Sequence, residues 1–181
     1  MLLQRVLAIL DSANVRYALV GAVAVASRGV PRSTFDLDLF TTDKQVFRDE
    51  LWAELRRDGV PVDVRRGDQF DPLGGVVRIG TKPDQIDVVV GKWKWEQAVI
   101  ERAQPVEIRD GITIPVPSAS DLILLKLAAG GPLDYVDAYN LLKLGPQNEL
   151  VAEISSKIGD LPDDAQKLWQ RLLGEFTPPS P

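Results

Sequence analysis

Apolar positions along the chain change period in an order that outlines the fold. Residues 2, 3, 6, 7 and 10 are apolar, the spacing of one helical face, so Leu2–Ala13 predicts an amphipathic helix. Tyr17–Val20 then reads as a short strand that breaks at Gly21, with a helix over Ala22–Arg28 behind it. Leu37–Phe40 is a second strand. Thr41-Thr42-Asp43 caps a helix over Lys44–Asp58, with Phe47, Leu51 and Leu55 on one side and Gly59 at its end. Val60–Val64, Val76–Ile79 and Gln85–Val90 are strand-like runs separated by Gly/Asp-rich turns. Trp95–Arg102 predicts a short helix, and Val106–Ile108 with Ile112–Val116 a hairpin around Arg109-Asp110-Gly111.

From Ser118 the pattern turns helical. Ser118 and Asp121 form a capping signal ahead of Leu122–Ala129. Gly130-Gly131-Pro132 and Gly145-Pro146 punctuate further helices over 133–144, 148–157 and 163–176. The expectation is an α+β fold: a mixed sheet of about five strands flanked by helices, then a helical C-terminal third. Residues 1–117 form the α/β core, 118–176 a helical segment packed on it, and 177–181 a frayed tail.

Composition narrows the chemistry. With 45% hydrophobic and 26% charged residues, the 181-residue chain has the make-up of an ordinary soluble globule. No apolar run approaches membrane-spanning length, and Arg5 and Asp11 spoil the likeness of the N-terminus to a signal peptide, so a cytoplasmic protein without a membrane partner is expected. The absence of Cys and His removes disulfides, thiol nucleophiles, Cys/His zinc sites and imidazole bases. Carboxylates, Lys, Arg and hydroxyls remain, and they suffice for metal-assisted phosphoryl chemistry. A net charge of −5 argues against wrapping nucleic acid over a broad basic face.

Asp36-Leu37-Asp38 is the strongest local signal. In a strand, residues i and i+2 share a face, so the two carboxylates project side by side. They repel unless a cation lies between them, and hard carboxylate oxygens suit Mg²⁺. The helix start after Gly21 is a candidate phosphate seat. Asp87 is a lone charge in Ile86-Asp87-Val88-Val89, and Asp63 in Val62-Asp63-Val64 is a rival with the same local pattern. Lys126 interrupts an apolar run, as either a phosphate contact or a snorkelling side chain. Asp134 and Asp137 lie on one helical face, placed to order Lys126 or Arg32. Lys92-Trp93-Lys94-Trp95 interleaves cations and aromatics as single-strand nucleic-acid platforms do, and also as amphipathic strand ends do. Leu168, Trp169 and Leu172 could offer an apolar docking patch.

The ordered set Val20-Gly21-Ala22, Asp36-Leu37-Asp38 and Ile86-Asp87-Val88-Val89 resembles the nucleotidyltransferase superfamily of DNA polymerase β. Ala24, Gly29, Arg32, Thr34, Lys126-Leu127-Ala128-Ala129, Asp134 and Asp137 resemble, within it, the AbiEii-type toxin-like family. The resemblance spans about residues 17–142. It implies a Mg²⁺-dependent transfer of a nucleoside monophosphate from an NTP to a hydroxyl acceptor: tRNA, a protein or a small molecule. Asp36, Asp38 and Asp87 would ligate two Mg²⁺ ions, and Asp87 would also accept the attacking hydroxyl's proton. Gly21, Ala22, Arg32, Thr34 and Lys126 would bind the nucleotide. A toxin role beside a separate antitoxin protein would follow. Ala22 stands where the family carries Gly or Ser, and Gly131 and Leu133 where relatives often carry Arg and Lys. These departures motivate a second expectation, a catalytically weak or inactive binding module of the same fold.

Overall fold

The computed structural model describes residues 1–32, 36–109 (Arg109 by its backbone only) and 111–176. Thr34 and the tail 177–181 lie outside the described residues. Helix α1 (Leu2–Ser12) precedes β1 (Ala18–Val20), α2 (Gly21–Ser27) and β2 (Leu37–Thr41). Strands β3 (Val62–Arg66), β4 (Gly75–Ile79) and β5 (Ile86–Val90) complete a five-stranded sheet in the order β1-β2-β5-β4-β3. Its only parallel pair is β2 with β5; the other neighbours run antiparallel. Helix α4 (Lys94–Arg102) leads to a separate hairpin of β6 (Gln104–Arg109) and β7 (Ile112–Val116).

Strand alternation divides the sheet into two unlike faces. Leu39, Val77, Ile79, Ile86 and Val88 are buried on one face and share a core with Val6 and Leu10 of α1 and with Trp52 and Leu55. The residues between them, Asp38, Phe40, Asp87, Val89 and Arg78, fall on the opposite face. Asp87 therefore does not interrupt the main core. It belongs to the alternate set of β5, whose burial runs buried, half-buried, buried along the strand.

The helix expected over 44–58 is broken. Two 3₁₀ turns, Lys44–Phe47 and Asp49–Trp52, precede α3 (Ala53–Arg57), and Arg48 between them is extended at φ −83° and ψ 128°. Side chains take the carbonyls that an α-helix would use. Trp52 Nε1 donates to Val46 O at 2.7 Å, and Arg66 Nη2 donates to Phe47 O at 3.0 Å.

The C-terminal helices are α5 (Ala119–Ala129), α6 (Pro132–Leu144), α7 (Gln147–Lys157) and α8 (Asp163–Glu175). Ser118 Oγ caps α5 by accepting from the Asp121 amide at 3.1 Å. Arg28 at the end of α2 donates to the carbonyls of Val116 and Pro117, tying α2 to the junction between β7 and α5. Buried Asp121 accepts from Arg102 Nη2 at 2.7 Å and pairs with Lys157 at 3.5 Å, a second tie. Trp169 and Leu172 are buried in this layer, so the apolar patch expected near the end of the chain is core and not a docking surface. Among the described residues, no helix is long and apolar enough to cross a membrane.

Candidate active site

Strand register brings the acidic residues together. Asp38 on β2 is the direct partner of Asp87 on β5, and in a parallel pair such partners share a face. Asp36 lies two residues before Asp38. Asp63 is set two strands further out, opposite Arg78 on the edge strand, and is ion-paired with Arg65 at 2.7 Å. The register thus sets Asp87 beside the Asp-x-Asp pair and Asp63 away from it.

Gly21 approaches Asp38 from the β1 side. Val20 is the register partner of Asp38, and Gly21 follows with φ +67° in the left-handed region. A Cβ placed on Gly21 would collide with Asp38 Oδ2, so both the turn and the carboxylate require glycine here. Ala22 lies in the first turn of α2, a seven-residue helix whose dipole is correspondingly small. What Gly21 supplies is close backbone approach. Gly21→Ala is expected to destabilise the protein by about 2 kcal/mol or more, combining left-handed strain with displacement of Asp38. Thermal unfolding of the two proteins checks this; an unchanged melting temperature would contradict the close approach.

The electrostatics are those of crowded carboxylates. Burial, and then the neighbouring charges of Asp87 and Asp36, push Asp38 up to about 6, against opposing pulls from Lys126 and Arg78. Asp87 is held by Arg78, whose Nε and Nη2 donate to its two oxygens at 3.0 and 2.9 Å, and by Gln85 Nε2 at 3.1 Å. Lys82 Nζ stands 3.6 Å from Asp36 Oδ2. Arg78, Lys82 and Gln85 were not singled out from the sequence. Gln85-Ile86-Asp87 does carry a signal, since i and i+2 share a face; the Arg78 pairing depends on the β4–β5 register.

A second group faces this one from the helical layer. Lys126 Nζ donates to Asp134 Oδ1 at 2.7 Å and lies 3.0 Å from Asp137 Oδ2, while Arg32 Nη1 lies 3.3 Å from Asp137 Oδ1. Both Asp137 contacts are ion-pair distances without the alignment of a directed hydrogen bond, and its carboxylate is fully buried. Burial pulls the Lys126 ammonium down, but Asp134 and Asp137 more than offset this and its pKa is raised. Asp134 and Asp137 thus order Lys126 and Arg32. Of the two residues expected at Gly131 and Leu133, neither adds a cation; Leu133 is an exposed apolar side chain.

Among the described residues, no three acidic side chains close on one point as a metal cage would. The donor set nevertheless fits a hard divalent ion in kind. Asp36, Asp38 and Asp87 line one cavity and all supply oxygens, and Asp38 is pushed up first by burial and then by the charges of Asp87 and Asp36 beside it. Arg78 and Lys82 neutralise part of that charge, and Asp87 would have to leave Arg78 to ligate.

No family model and no curated protein sequence matches the chain. Solved structures do match in fold. ANT(2")-Ia, in its complex with adenylyl-2"-tobramycin, is 19% identical with a TM-score of 0.51, over 97% of each chain. A nucleotidyltransferase-like antigenic protein from Paracoccidioides brasiliensis is 19% identical with a TM-score of 0.51, over 92% of this chain and 83% of its own. A putative nucleotidyltransferase from Thermotoga maritima is 17% identical with a TM-score of 0.52, over 71% of this chain and 83% of its own. The chain therefore has the α+β nucleotidyltransferase fold.

Proposed function

We propose that the chain is a Mg²⁺-dependent nucleotidyltransferase that moves a nucleoside monophosphate from an NTP to a hydroxyl acceptor. One observation carries the reading: on this fold, Asp38 and Asp87 are register partners on one sheet face, with Asp36 beside them and the Gly21 backbone against Asp38. Asp36, Asp38 and Asp87 would hold the metal, which when bound supplies charge neutralisation at the phosphates and the leaving group. Gly21 and Ala22 would offer their backbone to the triphosphate at the turn beside Asp38. Arg32 and Lys126, already drawn together by Asp137, are the cations available to phosphate oxygens, with Thr34 as a hydroxyl donor. The acceptor oxygen bonds to the α-phosphorus while the bond from that phosphorus to the α–β bridging oxygen breaks. Pyrophosphate departs with the electron pair, and Asp87 takes the hydroxyl proton once Arg78 has released it.

ANT(2")-Ia, bound to adenylyl-2"-tobramycin, supports transfer to a small-molecule alcohol as the first reaction to test. The AbiEii-like residue pattern supports a toxin role with a tRNA or protein acceptor and an antitoxin partner. Growth arrest on expression, lost in Asp38→Asn, would support that extension; unimpaired growth would remove it.

A second reading, a nucleotide-binding or regulatory module without catalysis, draws on the prior engagement of Asp87 by Arg78 and of Lys126 by Asp134. The Asp87→Asn variant separates the two. As the proton acceptor, Asp87 is worth about 10²–10⁴-fold, and with no His in the chain only hydroxide or water can replace it. Single-turnover transfer by Asp87→Asn is therefore expected to stay slow at saturating Mg²⁺ and to recover as pH rises. Full rescue by Mg²⁺ at neutral pH would contradict the base role, and no transfer by the parent chain with any NTP would favour the module.

A further inference from the structure

Asp87 is clasped on both oxygens. Arg78 stands directly opposite it on β4, so the register aims the guanidinium fork at the carboxylate. Nε reaches Oδ1 at 3.0 Å and Nη2 reaches Oδ2 at 2.9 Å, while Gln85 Nε2 adds a bond to Oδ1 at 3.1 Å. Three of the carboxylate's roughly four acceptor positions are thereby taken, two of them by the fork. Bidentate pairs of this kind are among the stronger charge-assisted contacts, and the Asp87 side chain is only 17% exposed, so solvent screens the pair little. Asp38 differs, because Arg78 and Lys126 act on it through charge alone.

Arg78 also has somewhere to go. With Asp87 it borders two cavities: the acidic one, and a groove of about 360 Å³ across β4 and β3 that Arg65, Asp71 and Val76 line as well. Asp71 accepts there from the neutral Asp68 amide at 2.7 Å, so it keeps its charge as a counter-ion for a guanidinium that has left Asp87. The Arg78 side chain is half exposed and both of its hydrogen bonds are to Asp87, so its exchange disturbs no core packing.

We propose that Arg78 is a positioning residue that competes for Asp87, holding the carboxylate away from the metal and from any water that could attack the nucleotide in place of the acceptor. The proposal rests on the nucleotidyltransferase reading for what Asp87 does once free. In the suppressed reaction, a water oxygen would bond to the α-phosphorus while the bond to the α–β bridging oxygen breaks. Pyrophosphate would leave with the electron pair, Asp87 would take the water's proton, and the nucleoside monophosphate would be released. Each bond to the guanidinium occupies a lone pair that the metal or that proton would need. An acceptor bound in the groove can offer fixed oxygens to the fork in exchange for Asp87. Bulk water offers none that are held in place.

The test uses the full chain and Mn²⁺, which takes the same oxygen ligands as Mg²⁺ and is followed by electron paramagnetic resonance. Arg78→Gln is expected to bind Mn²⁺ about tenfold more tightly than the parent chain, the effect of removing one hydrogen bond to a charged group. Without acceptor, it should also release the monophosphate from at least one Mg²⁺-NTP about tenfold faster, a fraction of what a free general base supplies. Arg78→Lys keeps the charge but not the fork, and should lie between the two in both measurements. Arg65→Gln removes the same charge one strand further out on the same sheet face, and should match the parent chain in both. Unchanged Mn²⁺ affinity or unchanged hydrolysis in Arg78→Gln would overturn the proposal. So would Arg78→Lys equal to the parent chain, or Arg65→Gln equal to Arg78→Gln, since either reduces the effect to net charge. Mn²⁺ bound by the parent chain but not by Asp38→Asn, beside an inert Arg78→Gln, would overturn this inference and leave the metal site standing. Mn²⁺ bound by neither the parent chain nor Arg78→Gln would overturn both.

Discussion

Asp38→Asn is expected to abolish nucleotidyl transfer while making the metal-free protein more stable at neutral pH. Asp38 titrates near 6 in the folded chain because of burial and the charges of Asp87 and Asp36, against about 4 in an unfolded chain. Between those values the folded state binds a proton that the unfolded state does not. The stability of the parent chain therefore falls as pH rises from about 4 to 6. Above 6 the full cost of the ionised carboxylate is present, at most about 3 kcal/mol for a shift of roughly two units. Partial exposure of Asp38 reduces that to roughly 1–2 kcal/mol. The Asn variant has no such carboxylate to ionise, so in chelator it should unfold later than the parent at pH 7.5 and at the same denaturant concentration at pH 4. Transfer should fall about 10²–10³-fold or more, as for loss of one preorganised charge-stabilising group. Equal stability of the two proteins at both pH values would contradict a cost to ionising Asp38 in the folded chain, by burial or by its carboxylate neighbours.

Lys126→Met should have the opposite effect on stability, lowering it by about 3–5 kcal/mol, because it strips a fully buried Asp137 of its nearer cation. For a chain of this size that is a fall of about 10 °C in melting temperature. The double variant Lys126→Met/Asp137→Asn should recover most of the loss, since no buried charge is then left uncompensated. Recovery of stability without recovery of nucleotide affinity would separate the structural duty of Lys126 from its proposed contact with phosphate. A single variant as stable as the parent chain would contradict the burial of Asp137.

How much of this was legible in the sequence depends on the range of the interactions. The Asp36/Asp38 pair and the Asp134/Asp137 spacing are local, and period alone places each pair on one face. The break at Gly21 was local too, but its reason was not: it lies in the contact with Asp38, a residue 17 positions on that β1–β2 pairing brings close. The resemblance cast Asp87 as the third carboxylate, but only the order of strands, which no local pattern announces, sets it beside the pair and Asp63 two strands away. The run 44–58 has a helical period, and its breakage comes from bonds by Trp52 and Arg66 that no local pattern announces. Arg78 escaped notice for the same reason, because only the β4–β5 register sets it against Asp87.

The most direct measurement is calorimetric titration of each of the four NTPs into the parent chain and into Asp38→Asn, with Mg²⁺ and with chelator. The account predicts that at least one NTP binds the parent chain in a Mg²⁺-dependent manner and that this binding is lost in Asp38→Asn. Binding of no NTP by the parent chain, or equal binding by the two proteins in chelator and in Mg²⁺, would contradict it.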